Sequence, residues 1–273
     1  MAAGGAAPCR KRRPAGPLYI VEHMEEGLED WCRLEYRHMC EVVPPDRLLF
    51  LQFPPDVDPA ALAPEGSQPP RVATGTLEEL CRPRDEDAAG GAGGGAEDGA
   101  GAAGAAAAAV AAARPALPPW ERLCLLDMDA EEALEPEDCS RFDGLVFGGI
   151  LGNVTELPEG GYGSDDRTRE LRRLGFKHRR HLGPMQMTTD TAVLVSSLVL
   201  EEARPLAEIP FLDSPDIGGS GGGEGAEASD CVCMEGFRYV ARRAADGDWE
   251  PTLPKGMAEL LAKSADGDIL DSL

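Results

Sequence analysis

Two strings in this 273-residue chain have residue types and spacings suited to holding a ligand by its backbone. The first is FGGILG, Phe147–Gly152, where Gly148 and Gly149 directly follow the apolar run LVF and Gly152 closes the string. Glycine here lets backbone N–H and C=O groups approach a bound molecule with no Cβ in the way. A tight strand-to-helix turn asks for the same residues, so this string alone fits a turn as well as a ligand loop. The second string is HLGPMQMTTDTAV, His181–Val193. Gly183 and Pro184 read as a turn, Met185 and Met187 as soft apolar surface, and Thr188 or Thr189 as the cap of a helix with Asp190 in its first turn. Taken singly, the methionines fit core filling, and Asp190 fits a carboxylate set against the helix dipole, worth about 0.3–1 kcal/mol. Together they make an apolar-walled, backbone-lined loop suited to a flat base and a thioether.

The elements that must position these strings alternate between strand and helix. Leu18–Val21 (LYIV) reads as the first strand, and Leu48–Phe53, Arg122–Asp127 and Gly144–Gly149 as further ones. The continuous apolar run in Gly144–Gly149 fits a parallel strand covered on both faces. A helix is expected over about Leu28–Cys40, because Leu28, Trp31, Cys32, Tyr36 and Met39 share one stripe and Pro44-Pro45 stops it. Glu35 falls inside that stripe, an odd place for a carboxylate; pairing with an internal arginine and facing a cleft both account for it. Further helices are expected at Thr76–Cys81, Asp165–Leu174, Asp190–Glu202 and about Gly256–Lys263, with short strands near Lys177–Leu182, Ile209–Leu212 and Phe237–Val240. This order predicts an α/β fold whose sheet is mainly parallel with helices on both faces. Residues 1–17 read as a disordered extension, and 18–273 as one domain with low-complexity insertions at about 85–116 and 217–230.

With its neighbours in order, the pair of strings resembles a known family. LVFGGILGN, then RTRELRRLGF, then HLGPMQMTTDTAV follow the pattern of the trefoil-knotted SPOUT methyltransferases. YIVEHMEEG at Tyr19–Gly27, IPFLDSPD at Ile209–Asp216, FRYV at Phe237–Val240 and LPKGM at Leu253–Met257 narrow the likeness. Together they resemble the fungal and protist branch that methylates an arginine of the third small-subunit ribosomal protein. The likeness runs from about Leu18 to the C-terminus outside the two low-complexity tracts, and it implies a C-terminal trefoil knot. It departs from the compact pattern at the Gly/Ala insertion, at MEGFRYV and in a longer loop between Gly152 and Asp166, departures that bear on the substrate mouth.

The resemblance implies S-adenosyl-L-methionine as methyl donor. Leu182, Gly183, Met185, Met187 and Thr188 would hold it, with walls from Phe147, Gly148, Gly149, Gly152 and Leu126 at the strand end Leu126-Asp127. An arginine acceptor stays protonated, so a carboxylate must orient it and take its proton. The candidates are Glu22, favoured for its place at the end of an apolar strand, then Asp190 and Asp213. Glu25 and Glu26 serve equally as surface charge leading into the helix. His23 would orient substrate, and Arg238 and Tyr239 would close the pocket, although Phe237 and Tyr239 also fit alternate faces of an ordinary strand.

Composition limits the alternatives. The net charge of −23 opposes contact with nucleic-acid phosphate and favours a basic protein partner. An RNA acceptor would need the run Arg167, Arg169, Arg172, Arg173, Lys177, Arg179 and Arg180, which reads more simply as a solvated helix face. A binder that kept the fold without activity is a third class, opposed by the intact glycines and QMTTDTA helix. Eight scattered cysteines suggest free thiols in a reducing cytoplasm, with no zinc set around Cys231 and Cys233. No apolar run reaches the roughly 18 residues of a membrane span. A monomer acting in the cytoplasm is expected.

Overall fold

The strings LYIV, LLFL, LCLL and GLVF are buried residue by residue, as strands sandwiched between two helical layers must be. A computed structural model describes residues 16–25, 27–81, 115–149, 154–156, 162–164, 168–217 and 232–265. In chain order the elements are β1 (Leu18–Glu22), α1 (Asp30–Val42), β2 (Leu48–Leu51), β3 (Arg71–Val72), α2 (Leu77–Cys81), β4 (Leu123–Leu126), β5 (Gly144–Phe147), β6 (Val154–Glu156) and β7 (Tyr162–Ser164). They continue with α3 (Thr168–Arg172), β8 (Arg179–Arg180), α4 (Thr189–Leu200), β9 (Phe211–Asp213), β10 (Asp216–Ile217), β11 (Val232–Cys233), β12 (Arg238–Arg243), β13 (Trp249–Pro251) and α5 (Met257–Ala265).

Six strands form a wholly parallel sheet in the order β3-β2-β1-β5-β4-β8. Side chains alternate through it as the pleat requires. Tyr19, Val21, Leu48, Phe50, Cys124, Leu126, Leu145 and Phe147 face α1 and α4. Leu18, Ile20, Leu49, Leu51, Leu123, Leu125 and Val146 face the other way, onto Leu77 of α2, Leu171 of α3 and Phe176. Tyr36 of α1 stacks on Phe50 with ring centroids 4.1 Å apart, a contact worth about 0.5–1.5 kcal/mol beyond its buried area. The helix stops where expected, its last turn closed by the Val43 amide on the Met39 carbonyl before Pro44-Pro45.

β6 and β7 pair with each other as an antiparallel hairpin, and the C-terminal strands build a smaller layer. β13-β12-β9 form an antiparallel sheet, and β10 pairs with β11. Ile217, Met234, Phe237, Tyr239, Met257 and Leu261 pack together there against Trp31 and Leu34 of α1. Ile217, expected at the edge of the second insertion, is instead buried in β10 because it joins this cluster. Likewise Ala116, at the edge of the first, accepts a hydrogen bond from Arg71 at 3.3 Å. The strand expected over Lys177–Leu182 is only Arg179–Arg180, and FRYV extends to Arg243. The N-terminal extension to residue 15, most of both insertions, Glu26, Gly152, Arg167 and Cys231 lie outside the described residues.

Candidate active site

The strand order reverses between β1 and β5. The chain runs outward from β1 to β2 and β3 on one side, while β5 lies on the other, followed by β4 and β8. Ligands of open parallel sheets settle in the crevice beyond the carboxyl ends at such a point. Along that edge lie the ends of β8, β4, β5, β1 and β2, so the Leu182–Thr188 segment, Leu126-Asp127, Phe147–Gly149, Glu22-His23 and Gln52 follow one another.

The two glycine strings meet there. Thr189 donates its hydroxyl to the Gly149 carbonyl at 3.2 Å. A Cβ on Gly149 would lie 2.8 Å from the Glu22 carbonyl and 2.9 Å from the Met24 amide, so only glycine lets β5 run this close to the end of β1. Gly183 has φ +120°, a conformation open to glycine, and its amide donates to His181 Nδ1 at 3.1 Å. Leu182 and Met187 pack on the α1–α4 side of the core, Met185 is half-buried and Pro184 is exposed. Gln186 accepts from the Arg238 amide at 2.8 Å, which ties the segment to β12. Thr188 stands at the N-cap of α4, but its hydroxyl donates to Thr191 rather than capping the helix.

The carboxylates separate by face. Val21 points toward α1 and α4, so Glu22, next along the strand, points toward α2. There it accepts from Gln52 at 3.0 Å and from the Leu77 amide at 3.1 and 3.2 Å. Burial is the main cause that raises its pKa to about 7, against those hydrogen bonds. Gln52 reaches it from a strained backbone position, φ 50°. His23 turns the other way: its Nδ1 lies 2.8 Å from the Tyr36 hydroxyl, and burial lowers its pKa, partly offset by the Gly27 backbone.

On that second face Asp190 is fully buried. Its Oδ2 lies 2.6 Å from His38 Nδ1, and Oδ1 has no hydrogen-bond partner. Burial alone would lower the His38 pKa, but the hydrogen bond and charge of Asp190 outweigh it and the net shift is upward. Glu35 does not meet an arginine: it accepts from Trp31 Nε1 at 2.6 Å and from the Asp190 amide at 3.4 Å. Burial, then the charges of Asp190 and Glu35, push the Tyr239 phenol up, with Thr188 as its hydrogen-bond partner. Tyr239 thus belongs to this buried group, whereas Asp213 sits apart, exposed, in a bidentate pair with Arg238 at 2.6 and 2.8 Å. The Arg238 guanidinium lies over Phe211 and 3.5 Å from where a Gly183 Cβ would be.

With the geometry set out, comparison with known proteins is decisive. The model of the family described as protein arginine N-methyltransferase SFM1-like matches residues 18–80 and 101–268. The chain belongs to that family. Protein arginine N-methyltransferase SFM1 of Saccharomyces cerevisiae is 30% identical over 257 residues, 93% of this chain and 99% of the yeast protein. The crystal structure of yeast arginine methyltransferase SFM1 complexed with SAM superposes with a TM-score of 0.62 at 28% identity, covering 94% of this chain and 95% of that one. The same enzyme complexed with SAH gives 0.60 at 29%, covering 89% and 94%. The SFM1-like match begins at β1 and runs through α5, so it takes in every described residue of the site.

His38 and Gln52 carry no signal of their own in the sequence, and Tyr36 reads there as a core residue of the α1 stripe. Glu35 and His38, three apart, lie among the apolar residues of that stripe, and this placement is the signal that points to them. Four residues of the basic run are engaged internally: Arg172 and Arg179 meet Asp127 at 3.2 and 2.9 Å, Arg180 meets Asp138 and Glu132 at 2.8 and 2.6 Å, and Arg173 meets Glu170 at 2.5 Å. Among the described residues no cluster of three metal-ligating side chains occurs, and no helix is long and apolar enough to cross a membrane.

Proposed function

We propose that this chain methylates an arginine side chain of a basic small-subunit ribosomal protein, with S-adenosyl-L-methionine as donor, and that it works as a cytoplasmic monomer. The observation that carries the reading is the meeting of the two glycine strings at the switch point, in a chain of the SFM1-like family. The residues there fit the donor: half-buried Leu182, Met185 and Met187 offer an apolar wall, and Gly148 and Gly149 offer bare backbone opposite. Leu126 and Phe147 floor the edge, and Gly183 and Thr188 complete the wall. The trefoil knot that the SPOUT likeness implies would thread this segment and hold it in place.

The donor supplies a methyl group already activated on a sulfonium, which leaves the protein mainly the task of alignment. A guanidinium, protonated at pKa above about 12, enters that alignment only beside a carboxylate that orients it and takes a proton. Glu22 suits the proton: with a pKa of about 7 it is partly ionised at neutral pH, where a general base is most effective. Across the edge from Glu22, His23, held by Tyr36, and Arg238 would meet the rest of the acceptor chain, while the buried Tyr239 would support them from behind Thr188. The net charge of −23 draws a basic partner, and Arg172, Arg173, Arg179 and Arg180, four of the residues that RNA would need, are paired with carboxylates.

The test is methyl transfer from labelled donor into separated ribosomal protein and RNA fractions. Label is expected in a basic small-subunit protein. Label in RNA would reverse the assignment of acceptor.

A further inference from the structure

Glu35 has no exposed surface, and the stripe it interrupts is otherwise Trp31, Cys32, Tyr36 and Met39. A carboxylate in such surroundings is costly unless hydrogen-bonded, so the use of its oxygens identifies its task. Oε1 is taken by Trp31 of the same helix. Oε2 reaches across to α4, where it accepts from the Asp190 amide at 3.4 Å, with a further backbone contact from Thr189. First-turn amides have no partner within their own helix. The N-cap residue Thr188 does not supply one, because its hydroxyl goes to Thr191. Glu35 therefore provides from α1 the cap that α4 lacks locally.

These amides end the Leu182–Thr188 segment. Its other tethers join it to β12 through Gln186, to the end of β5 through Thr189, and to Tyr239 through Thr188. His38 and Asp190 make a second link between α1 and the same turn. Glu35 and His38 thus fasten the segment to the helix whose Tyr36 stacks on Phe50 in the core.

We propose that Glu35 is a positioning residue: by capping α4 from α1 it sets the exit of the Leu182–Thr188 segment and so the affinity for the methyl donor. The inference rests on the donor reading above. Burial first, then the charge of Asp190, hold the Glu35 carboxyl well above its ordinary range, and Asp190, His38, Tyr36, Tyr239 and Cys32 are the titratable groups around it. Glutamine, which keeps a carbonyl oxygen as acceptor and carries no charge, is the nearest substitute.

The experiment compares Glu35→Leu and Glu35→Gln with the unsubstituted chain by calorimetric titration with S-adenosylhomocysteine, alongside thermal unfolding without ligand. Leucine removes the cap and leaves two amides without a partner; affinity is expected to fall about tenfold, in keeping with the loss of one hydrogen bond to a buried polar group. The Michaelis constant for the donor should rise similarly while kcat at saturation changes little. Glutamine keeps an acceptor and should restore affinity to within about twofold, a rescue that loss of packing alone does not produce. Glu35→Ala gives the same readout if leucine overpacks the site. Unchanged affinity in the folded leucine or alanine variant would overturn the proposal. Absence of binding by the unsubstituted chain would instead overturn the donor reading, and this inference with it.

Discussion

Two buried carboxylates, Glu22 and Asp190, stand at the same edge of the parallel sheet and behave differently. Glu22 faces α2, and its partners among the described residues are neutral donors, the Gln52 amide and the Leu77 backbone. Asp190 faces α1, where His38 lies 2.6 Å from one oxygen. With no cation beside it among the described residues, Glu22 is lifted by burial to about 7 and exchanges a proton near neutral pH. Asp190 is tied to an imidazole whose pKa rises in return, which makes the two a buried hydrogen-bonded pair at the root of α4, charged when His38 is protonated. One site is suited to moving a proton and the other to holding a helix. The contrast comes from counter-charge, since both groups are nearly free of solvent.

The sharpest way to break this comparison is Glu22→Gln. If Glu22 takes the proton, turnover should fall by about a hundredfold or more, the usual scale for a lost general base, while affinity for S-adenosylhomocysteine stays nearly intact. Steady-state kinetics with calorimetry separates the two quantities. Unaltered turnover would move the role to Asp190 or Asp213. The companion change, Asp190→Ala, leaves His38 buried without its partner. It should cost about 3–5 kcal/mol of stability in urea unfolding, the scale of a broken buried pair, whatever happens to turnover. A loss below about 1 kcal/mol would show that the pair is not the fastening we describe.

Stability against pH sharpens the same contrast. The folded chain holds a proton on Glu22 up to about pH 7, whereas the unfolded chain releases it near 4.5. The stabilising contribution is therefore complete below about 4.5 and is lost as pH rises toward 7, on the order of 3 kcal/mol across the window. The His38 pair has the same sign in a higher window, present below the ordinary histidine value and lost as pH climbs through the raised one. Urea unfolding over a pH series should thus show two declines, and Glu22→Gln should erase only the lower. Persistence of the lower decline in that variant would mean another group carries it.

How much of this was legible beforehand follows from periodicity. The four apolar runs announced the parallel sheet, because strands covered on both faces leave continuous hydrophobic strings. β3, β6, β7, β10, β11 and β13 are two or three residues long, too short for any alternation to register. The same alternation contained a fact about the site: Val21 inward to α1 puts Glu22 on the α2 face, away from His23 and Asp190. That needed the register of β1, which its wholly apolar run hides. Trp31 meets Glu35 one turn away, but the links between the two helices span 152 to 155 positions, Glu35 with the Asp190 amide and His38 with its carboxylate, and no local pattern encodes such pairings.

The smallest effect is expected at the third carboxylate, where neither condition of the comparison holds. Asp213 keeps 46% of its side-chain surface exposed and is held by Arg238 through a cross-strand bidentate pair. The Arg238 hydrogen bonds lower its pKa, so at neutral pH it is ionised and a poor proton acceptor. Asp213→Asn should change stability by less than about 1 kcal/mol, as exposed pairs do. The guanidinium it releases remains over Phe211 beside Gly183, so the donor segment should shift little. Turnover is then expected to change by less than about tenfold, against the hundredfold of a lost general base at Glu22. A collapse of turnover in Asp213→Asn, with donor affinity retained, would place the acceptor arginine beside β9 and leave Glu22 as a cap for α2. That outcome would mean exposure to the substrate, rather than burial without counter-charge, selects the working carboxylate at this edge.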